Sequence, residues 1–388
     1  MDETLLNDVV AAALKAGADA AEAVGAERRS LSITVRNGDL EEVEREESRD
    51  LGLRVFVGKR QATVSGSDIS PEARARLVER AVAMAKLAPE DPYAGLADPE
   101  SLARGPLPDL DLYDPTEPTP EGLEDHARVA EAAARAVPLV TNSDGASGAW
   151  SASRWTMVTS GGFTGVHRAS GFSISASAIA GDENGMETGY DGRSTRWQAD
   201  LPTPQSLGTE AGRRAAQRLG ARKIASTTAP VIFENRLAGS LMSPLIGAIS
   251  GPAIARGASF LKDKLGQQIF AKGINIVDDP HVTRGLGSSP FDDEGVANEK
   301  RSLIDDGVLT TWLLNSSAAR QLGLATTGHA SRGLAGPPGV STSNLTFTPG
   351  TRDQAGLMAD AGSGLLVTSM FGPSLNANTG DWSVGCSG

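Results

Sequence analysis

The chain's only imidazoles are His126, His167, His281 and His329, and its only thiol is Cys386. A protein-held zinc needs three or four ligands at spacings that bring them together, as in His-Glu-x-x-His on one helix face. No two of these histidines stand in such an arrangement, so the spacing predicts no zinc site of the usual kind. His126 falls in Glu124-Asp125-His126-Ala127-Arg128, which reads as an exposed helix face, and His167 in Gly165-Val166-His167-Arg168, a strand or turn. Asp278-Asp279-Pro280-His281 gathers two carboxylates and an imidazole, but an ordinary turn with capping side chains suits them better than a metal. Phe291-Asp292-Asp293-Glu294-Gly295 offers oxygen ligands for a divalent cation. It lacks the alternating spacing of a calcium loop and reads as a solvated acidic turn.

Nucleophilic chemistry finds no better footing. Ser147, Ser151 and Ser153 lie in no Gly-x-Ser-x-Gly elbow. Gly161-Gly162 and the stretch Gly333 to Gly339 match neither the phosphate loop nor the dinucleotide fingerprint. Cys386 has no basic neighbour in sequence to activate it and reads as an inert small side chain. Taken alone, the residues yield no catalytic constellation.

The elements that would position these residues are legible from periodicity. Leu5, Val9, Ala13 and Ala16 recur at helical spacing, and Gly17 stops the run. Leu31, Ile33 and Val35 alternate with polar residues up to Asn37-Gly38, which supplies the two positive-φ residues of a tight hairpin turn. The returning strand, Leu40 to about Arg49, carries Glu41, Glu42, Glu44, Glu46 and Glu47 and must be solvated, as at an open edge. Leu51, Leu53, Val55 and Val57 alternate again, Gly58-Lys59-Arg60 turns the chain, and Ala62 and Val64 begin another strand. Ser70-Pro71-Glu72 starts a helix that ends before Pro89. The prolines from Pro89 to Pro120 mark a connecting segment on the surface. A helix from about Thr119 to Ala136 follows, then Gly- and Ser-rich strands through Ala180 with Trp150, Trp155, Phe163 and Phe172 as packing anchors, then a helical stretch from Arg213 to Leu219. Ala229 to Phe233 reads as a short buried strand opening a glycine-dense, mostly β region. The predicted class is α+β: an N-terminal antiparallel sheet flanked by helices, and a mostly β C-terminal domain. The division expected is residues 1–104, a central region 105–222, and 223–388.

Composition removes whole classes. The 388 residues carry 48 acidic and 36 basic side chains, a net charge of −12, with no lysine- or arginine-rich block. Phosphate neutralisation dominates nucleic-acid affinity, so no nucleic-acid partner is expected. The apolar runs are short and broken, so no membrane span is expected, and the acidic start of the chain is unlike a signal peptide. With a single cysteine there is no internal disulfide, and a cytoplasmic location follows.

One stretch is more specific. Ala255-Arg256-Gly257-Ala258-Ser259-Phe260-Leu261-Lys262-Asp263-Lys264-Leu265-Gly266 resembles the signature of the TldD/PmbA family, on its PmbA (TldE) branch. Ile276-Val277-Asp278-Asp279-Pro280, Arg284-Gly285-Leu286, Pro290 to Gly295, Asp306 to Leu314 and Thr327-Gly328-His329-Ala330 match as well, and the N-terminal helix, hairpin and Gly52 to Val55 strand also fit. The resemblance implies a cytosolic TldD/TldE assembly that degrades unfolded peptides and is linked to microcin maturation and antitoxin removal. It implies a TldD-like metalloprotease partner whose HExxxH helix, with a later cysteine, holds a metal, expected to be zinc, and whose glutamate acts on the bound water. Laid on this sequence, that helix covers Leu241 to Ile249. Ser243 and Pro244 stand at the positions of the first His and the Glu, and Ala248 at that of the second His.

Serine and alanine cannot replace imidazole ligands, and proline cannot be a general base. Ser243 is expected instead to cap a helix with Pro244 in its first turn, and this chain to hold no metal or other cofactor. The resemblance also implies further strands beyond the segment matching Asp381 to Gly388, so the C-terminal domain is expected to be truncated. Arg256, Phe260, Leu261, Asp292, Asp293 and His329 are the expected contacts for peptide or partner. A stand-alone peptide-binding or chaperone-like module and a protein regulator of DNA gyrase remain alternatives, and a homodimer of the chain alone stays open.

Overall fold

The computed structural model describes residues 1–388. Asp2 caps α1 (Glu3–Lys15) by accepting from the Thr4 N–H, and Leu6, Val9, Val10 and Ala13 form its buried stripe. β1 (Ala20–Arg36) and β2 (Asp39–Val57) make a long hairpin whose turn residues Asn37 and Gly38 have φ of 54° and 85°. β1 starts upstream of the Leu31 alternation because Ala21 to Gly25 are buried on both faces and so show no period of two. Residues 39–47 of β2 are exposed, as the glutamate run requires. β3 (Arg60–Gly66) returns to α2 (Pro71–Leu87), where Ser70 Oγ accepts from the Ala73 N–H.

Residues 88–119 form no helix and nothing longer than a single bridge, yet Ala94, Ala97, Leu110, Leu112 and Asp114 are buried. The proline-rich segment is therefore strapped into the body and does not simply lie on it. α3 (Pro120–Arg135), β4 (Val140–Thr159), β5 (Thr164–Asp182), β6 (Gly185–Thr195) and α4 (Pro204–Gln217) follow, the last starting well before the Arg213 expected from periodicity.

All six strands join one antiparallel sheet in the order β3-β2-β1-β4-β5-β6, so the sheet continues across the division at residue 104. Odd-numbered residues of β1 face helices: Ala21 and Ala23 pack with α1 and α2, while Leu31, Ile33 and Val35 pack with residues of α3 and α4. α4 lies so close to α3 that a Cβ on Gly208 would stand 1.9 Å from the Ala130 carbonyl oxygen, which is why glycine occupies that position. Even-numbered residues face the other way. There Val24 joins Met157, Phe163 and Phe291 in a cluster that docks the C-terminal region onto the sheet.

That region contains β7 (Val231–Phe233), α5 (Ala238–Ala248), α6 (Gly251–Ala255), β8 (Ile276–Asp278), β9 (Arg301–Asp305), β10 (Val308–Leu309), α7 (Ser316–Leu322), β11 (Ala330–Ser331), β12 (Gly339–Val340), β13 (Leu345–Phe347), α8 (Gln354–Ala361), β14 (Leu365–Val367), β15 (Ser369–Leu375) and β16 (Trp382–Ser387). A four-stranded sheet, β10-β9-β8-β13, backs a core that includes Met242, Ile249, Leu303 and Trp312. β7 pairs in parallel with β14, and β15 pairs antiparallel with β16. β7 is where the sequence placed it but is not buried, with Val231 51% exposed, because it pairs on one side only. The class is α+β with a β-rich C-terminal region.

Candidate functional site

α5 carries Ser243, Pro244 and Ala248, the residues expected at the metal-motif positions. Ser243 does not cap it: α5 begins at Ala238, Ser243 lies inside it, and its Oγ donates to the Gly239 carbonyl at 3.0 Å. Pro244 is likewise internal and leaves the Ser240 carbonyl without its helical donor. The helix runs through because Met242, Leu245 and Ala248 are all buried in the C-terminal core, and that burial offsets the lost bond. Residues i and i+5 of a helix point about 140° apart. Accordingly Ser243 is exposed while Ala248 is 5% exposed.

The signature stretch closes this helix. Ser259 Oγ donates to the Ala248 carbonyl at 2.6 Å and accepts from the Leu261 N–H at 3.0 Å, satisfying a helix-end carbonyl from a buried position. Leu261 is buried in the core. Phe260 is half-buried, donates its N–H to Ala377 at 2.8 Å and rests its ring on Gly380, in the loop between β15 and β16. Arg256 is exposed.

The acidic run is not a solvated turn, which corrects the expectation. Phe291 is 1% exposed, edge-on to Phe163 and His167, and it draws the following acids inside with it. Asp292 Oδ1 accepts from the Glu294 and Val296 N–H groups, both at 2.9 Å, and Oδ2 from Ala330 at 3.0 Å. Burial and the nearby Glu294 push the Asp292 carboxyl well above its ordinary range, against those three bonds. Burial raises Asp293 and Glu294 too, although Arg332 N–H donates to the first at 2.8 Å and Ser316 N–H to the second at 2.8 Å. Arg332 in turn meets Glu22 of β1, which also pairs with Arg54 of β2 at 3.2 Å, and Arg54 donates to Gln61 at 2.7 Å. Glu22 and Arg54 are 1% and 2% exposed, so an ionic cluster sits inside the joint between the sheet and the C-terminal region.

His329 meets Asp278 through Nε2 at 3.1 Å and Thr327 Oγ1 through Nδ1 at 2.8 Å. An acid, an imidazole and a hydroxyl in series resemble a nucleophilic relay. Here all three are buried, Thr327 Oγ1 also accepts from the Leu314 N–H at 2.7 Å, and Asp278 Oδ1 accepts from Ser343 at 2.8 Å. The hydroxyl is buried and tied to backbone, and the three groups join β8 to the 327–343 loop. His281 meets Asn298 at 2.8 Å, and His167 stands on β5. No three His, Cys, Asp or Glu side chains converge as a metal cradle.

Of the six expected contacts, the structure thus brings Asp292 and His329 to one neighbourhood through Ala330, and places them and Leu261 inside the domain. Arg256 and Phe260 reach solvent, with Asp293 between. Sequence reasoning missed Glu22, Arg54 and Arg332. The available signal was a charge flanked by apolar residues in Ala21-Glu22-Ala23-Val24 and Leu53-Arg54-Val55.

Residues 21–85, 113–219 and 226–388 match, in order, domain 1, the central domain and the C-terminal domain of the PmbA/TldA metallopeptidases. Metalloprotease PmbA of Escherichia coli O157:H7 is 37% identical over 390 residues, covering 99% of this chain and 84% of that one. The chain belongs to the PmbA/TldD family. A Metalloprotease PmbA homolog of Haemophilus influenzae is 35% identical, covering 97% of this chain and 81% of its own. A Bacteroides thetaiotaomicron structure described as a candidate modulator of DNA gyrase superposes with a TM-score of 0.91 at 27% identity, over 99% of this chain and 85% of that one. TldE from Thermococcus kodakarensis shares the fold, with a TM-score of 0.85 at 21% identity over 98% and 86% of the two chains. Within the PmbA/TldD fold, then, the signature stretch has a physical task, which is to close α5 and hold the β15–β16 loop.

Proposed function

We propose that this chain is the PmbA (TldE)-type subunit of a TldD/TldE peptidase assembly in the cytoplasm, one that binds unfolded peptides and aligns them for a metal-bearing TldD-like partner. The reading rests on α5, where the resemblance sets Ser243, Pro244 and Ala248, none of them a metal ligand or a general base, at the metal-motif positions. Two-stranded pairs such as β7–β14 and β15–β16 leave strand edges open, and an edge can take an extended peptide through its backbone with little regard to sequence. No helix is long and apolar enough to cross a membrane. Aligning a peptide against another subunit's metal needs no catalytic group here, because orientation alone lowers a barrier substantially.

Co-purification with a TldD-like chain from the same organism, followed by cleavage of an unfolded peptide, tests this. Adding the subunit is expected to raise cleavage at least about tenfold, about 1.4 kcal/mol of barrier. Equal cleavage by the partner alone would overturn it. Arg256→Ala is expected to lower that activity without lowering the melting temperature, since the side chain is exposed.

A further inference from the structure

α1 and α2 cover one end of the six-stranded sheet and α3 and α4 the other, and between them a strip of the same face stays open. Its floor is a single row of cross-strand neighbours, Arg49 on β2, Glu27 on β1, Arg154 on β4 and Arg168 on β5. A groove of about 750 Å³ lies over this row, lined by five arginines and two glutamates in a chain whose net charge is −12. Its carboxylates are already engaged: Glu27 by the terminal ammonium and by Arg49 at 3.4 Å, Glu47 by Arg45 at 3.1 Å.

Arg154 and Arg168 therefore stand directly opposite one another and neither makes a contact ion pair, although Glu27 reaches Arg154 electrostatically from the other side. Like charges in that position destabilise a sheet. Arg154 Nε is buried and makes no hydrogen bond, while the Arg168 guanidinium is held 3.8 Å from the Tyr113 ring, which fixes its plane. Two oriented guanidiniums side by side suit a carboxylate. The groove runs on into a second hollow of about 410 Å³ that shares Glu27, Arg49 and Arg154 and adds Met1, the half-buried Leu5 and Ile69, and Asp2, whose carboxylate is engaged in capping α1. A small tetrahedral anion would fill neither the length nor the apolar end.

We propose that this groove binds an acidic, extended polypeptide segment, with Arg154 and Arg168 clamping a carboxylate and Leu5 with Ile69 taking a neighbouring apolar side chain. The site is on the N-terminal sheet, away from α5, and does not depend on the peptidase reading.

Fluorescence anisotropy on the full chain tests it with a short labelled peptide of alternating Glu and Leu. Arg154→Gln and Arg168→Gln are each expected to weaken binding at least about tenfold, and a Gln-for-Glu peptide to bind as weakly. Arg193→Gln, an exposed change on β6, controls for net charge and is expected to leave binding unchanged. Because the clamp is a repulsive pair when empty, either clamp variant is expected to melt no lower than the parent chain, whereas a structural pair would lower it. Unchanged affinity in both variants, equal binding of the Gln peptide, or full competition by inorganic phosphate or an oligonucleotide at equal charge would each overturn the proposal.

Discussion

At the scale of single residues, the C-terminal joint sets groups of opposite pH behaviour side by side. Burial lowers the pKa of His167 from 6.5 to about 4, with Arg196 adding to the effect, while Asp292, Asp293 and Glu294 are raised by burial. A base depressed in the fold gives stability that is complete above its unfolded value and is lost as pH falls from 6.5 through about 4. The raised acids act with the reverse sign: their contribution is complete below the ordinary carboxylate range and is lost as pH rises. His167→Phe keeps a ring edge-on to Phe291 and removes only the first behaviour. Urea unfolding of parent and variant is therefore expected to diverge across that acid window, the variant gaining on the order of 3 kcal/mol relative to the parent by its lower end. Parallel profiles would show that folding leaves the His167 pKa unshifted.

At the scale of elements, the long β1–β2 hairpin depends on a side chain far away in sequence. Glu131 of α3 is 2% exposed, and its two carboxylate oxygens accept from the N–H groups of Asn37 and Gly38, at 2.6 and 2.7 Å. Asn37-Gly38 can turn by itself, but its outward N–H groups would then be orphaned against the helix. The carboxylate both satisfies them and fixes the hairpin's angle to α3. Glu131→Ala is expected to cost about 1–3 kcal/mol and to speed amide exchange at residues 35–40 far more than in β5. Uniform loss of protection along the whole sheet would instead mean that Glu131 supports α3 and not the turn.

At the scale of the whole molecule, Phe291 is the hinge pin between the six-stranded sheet and the C-terminal region. It contacts Phe163 at a centroid distance of 5.1 Å and belongs to the same cluster as Val24 and Met157, next to the Glu22–Arg54–Arg332 ions. Arg320 of α7 adds a second tie, donating to the Tyr93 carbonyl at 3.1 Å. Phe291→Ala is expected to cost about 3–5 kcal/mol. Calorimetry is expected to resolve two transitions where the parent shows one, because each side retains its own core. A single transition, merely lowered, would show that the ions and Arg320 suffice to keep the halves cooperative.

The sequence by itself determined the elements whose signals are local: the α1 and α2 helices, the Ser70 cap, the Asn37-Gly38 turn and the solvated glutamate strand all follow from periodicity and capping within a few residues, although Ala16 of the expected α1 stripe is exposed and Leu6 and Val10 are buried in its stead. It also determined the family, through the Arg256 to Gly266 run and the segments after it. What only the tertiary structure decided involved partners distant in the chain. Ser243 and Pro244 looked like a helix start because capping residues stood in order, but burial of Met242, Leu245 and Ala248 carried α5 through them. Asp292 to Glu294 looked solvated because three acids in a row ordinarily are. Phe291 buried itself against β4 and β5 residues more than a hundred positions away, and backbone donors from Ala330, Arg332 and Ser316 met the acids inside. Burial is set by what packs on a residue, and neither composition nor spacing states that.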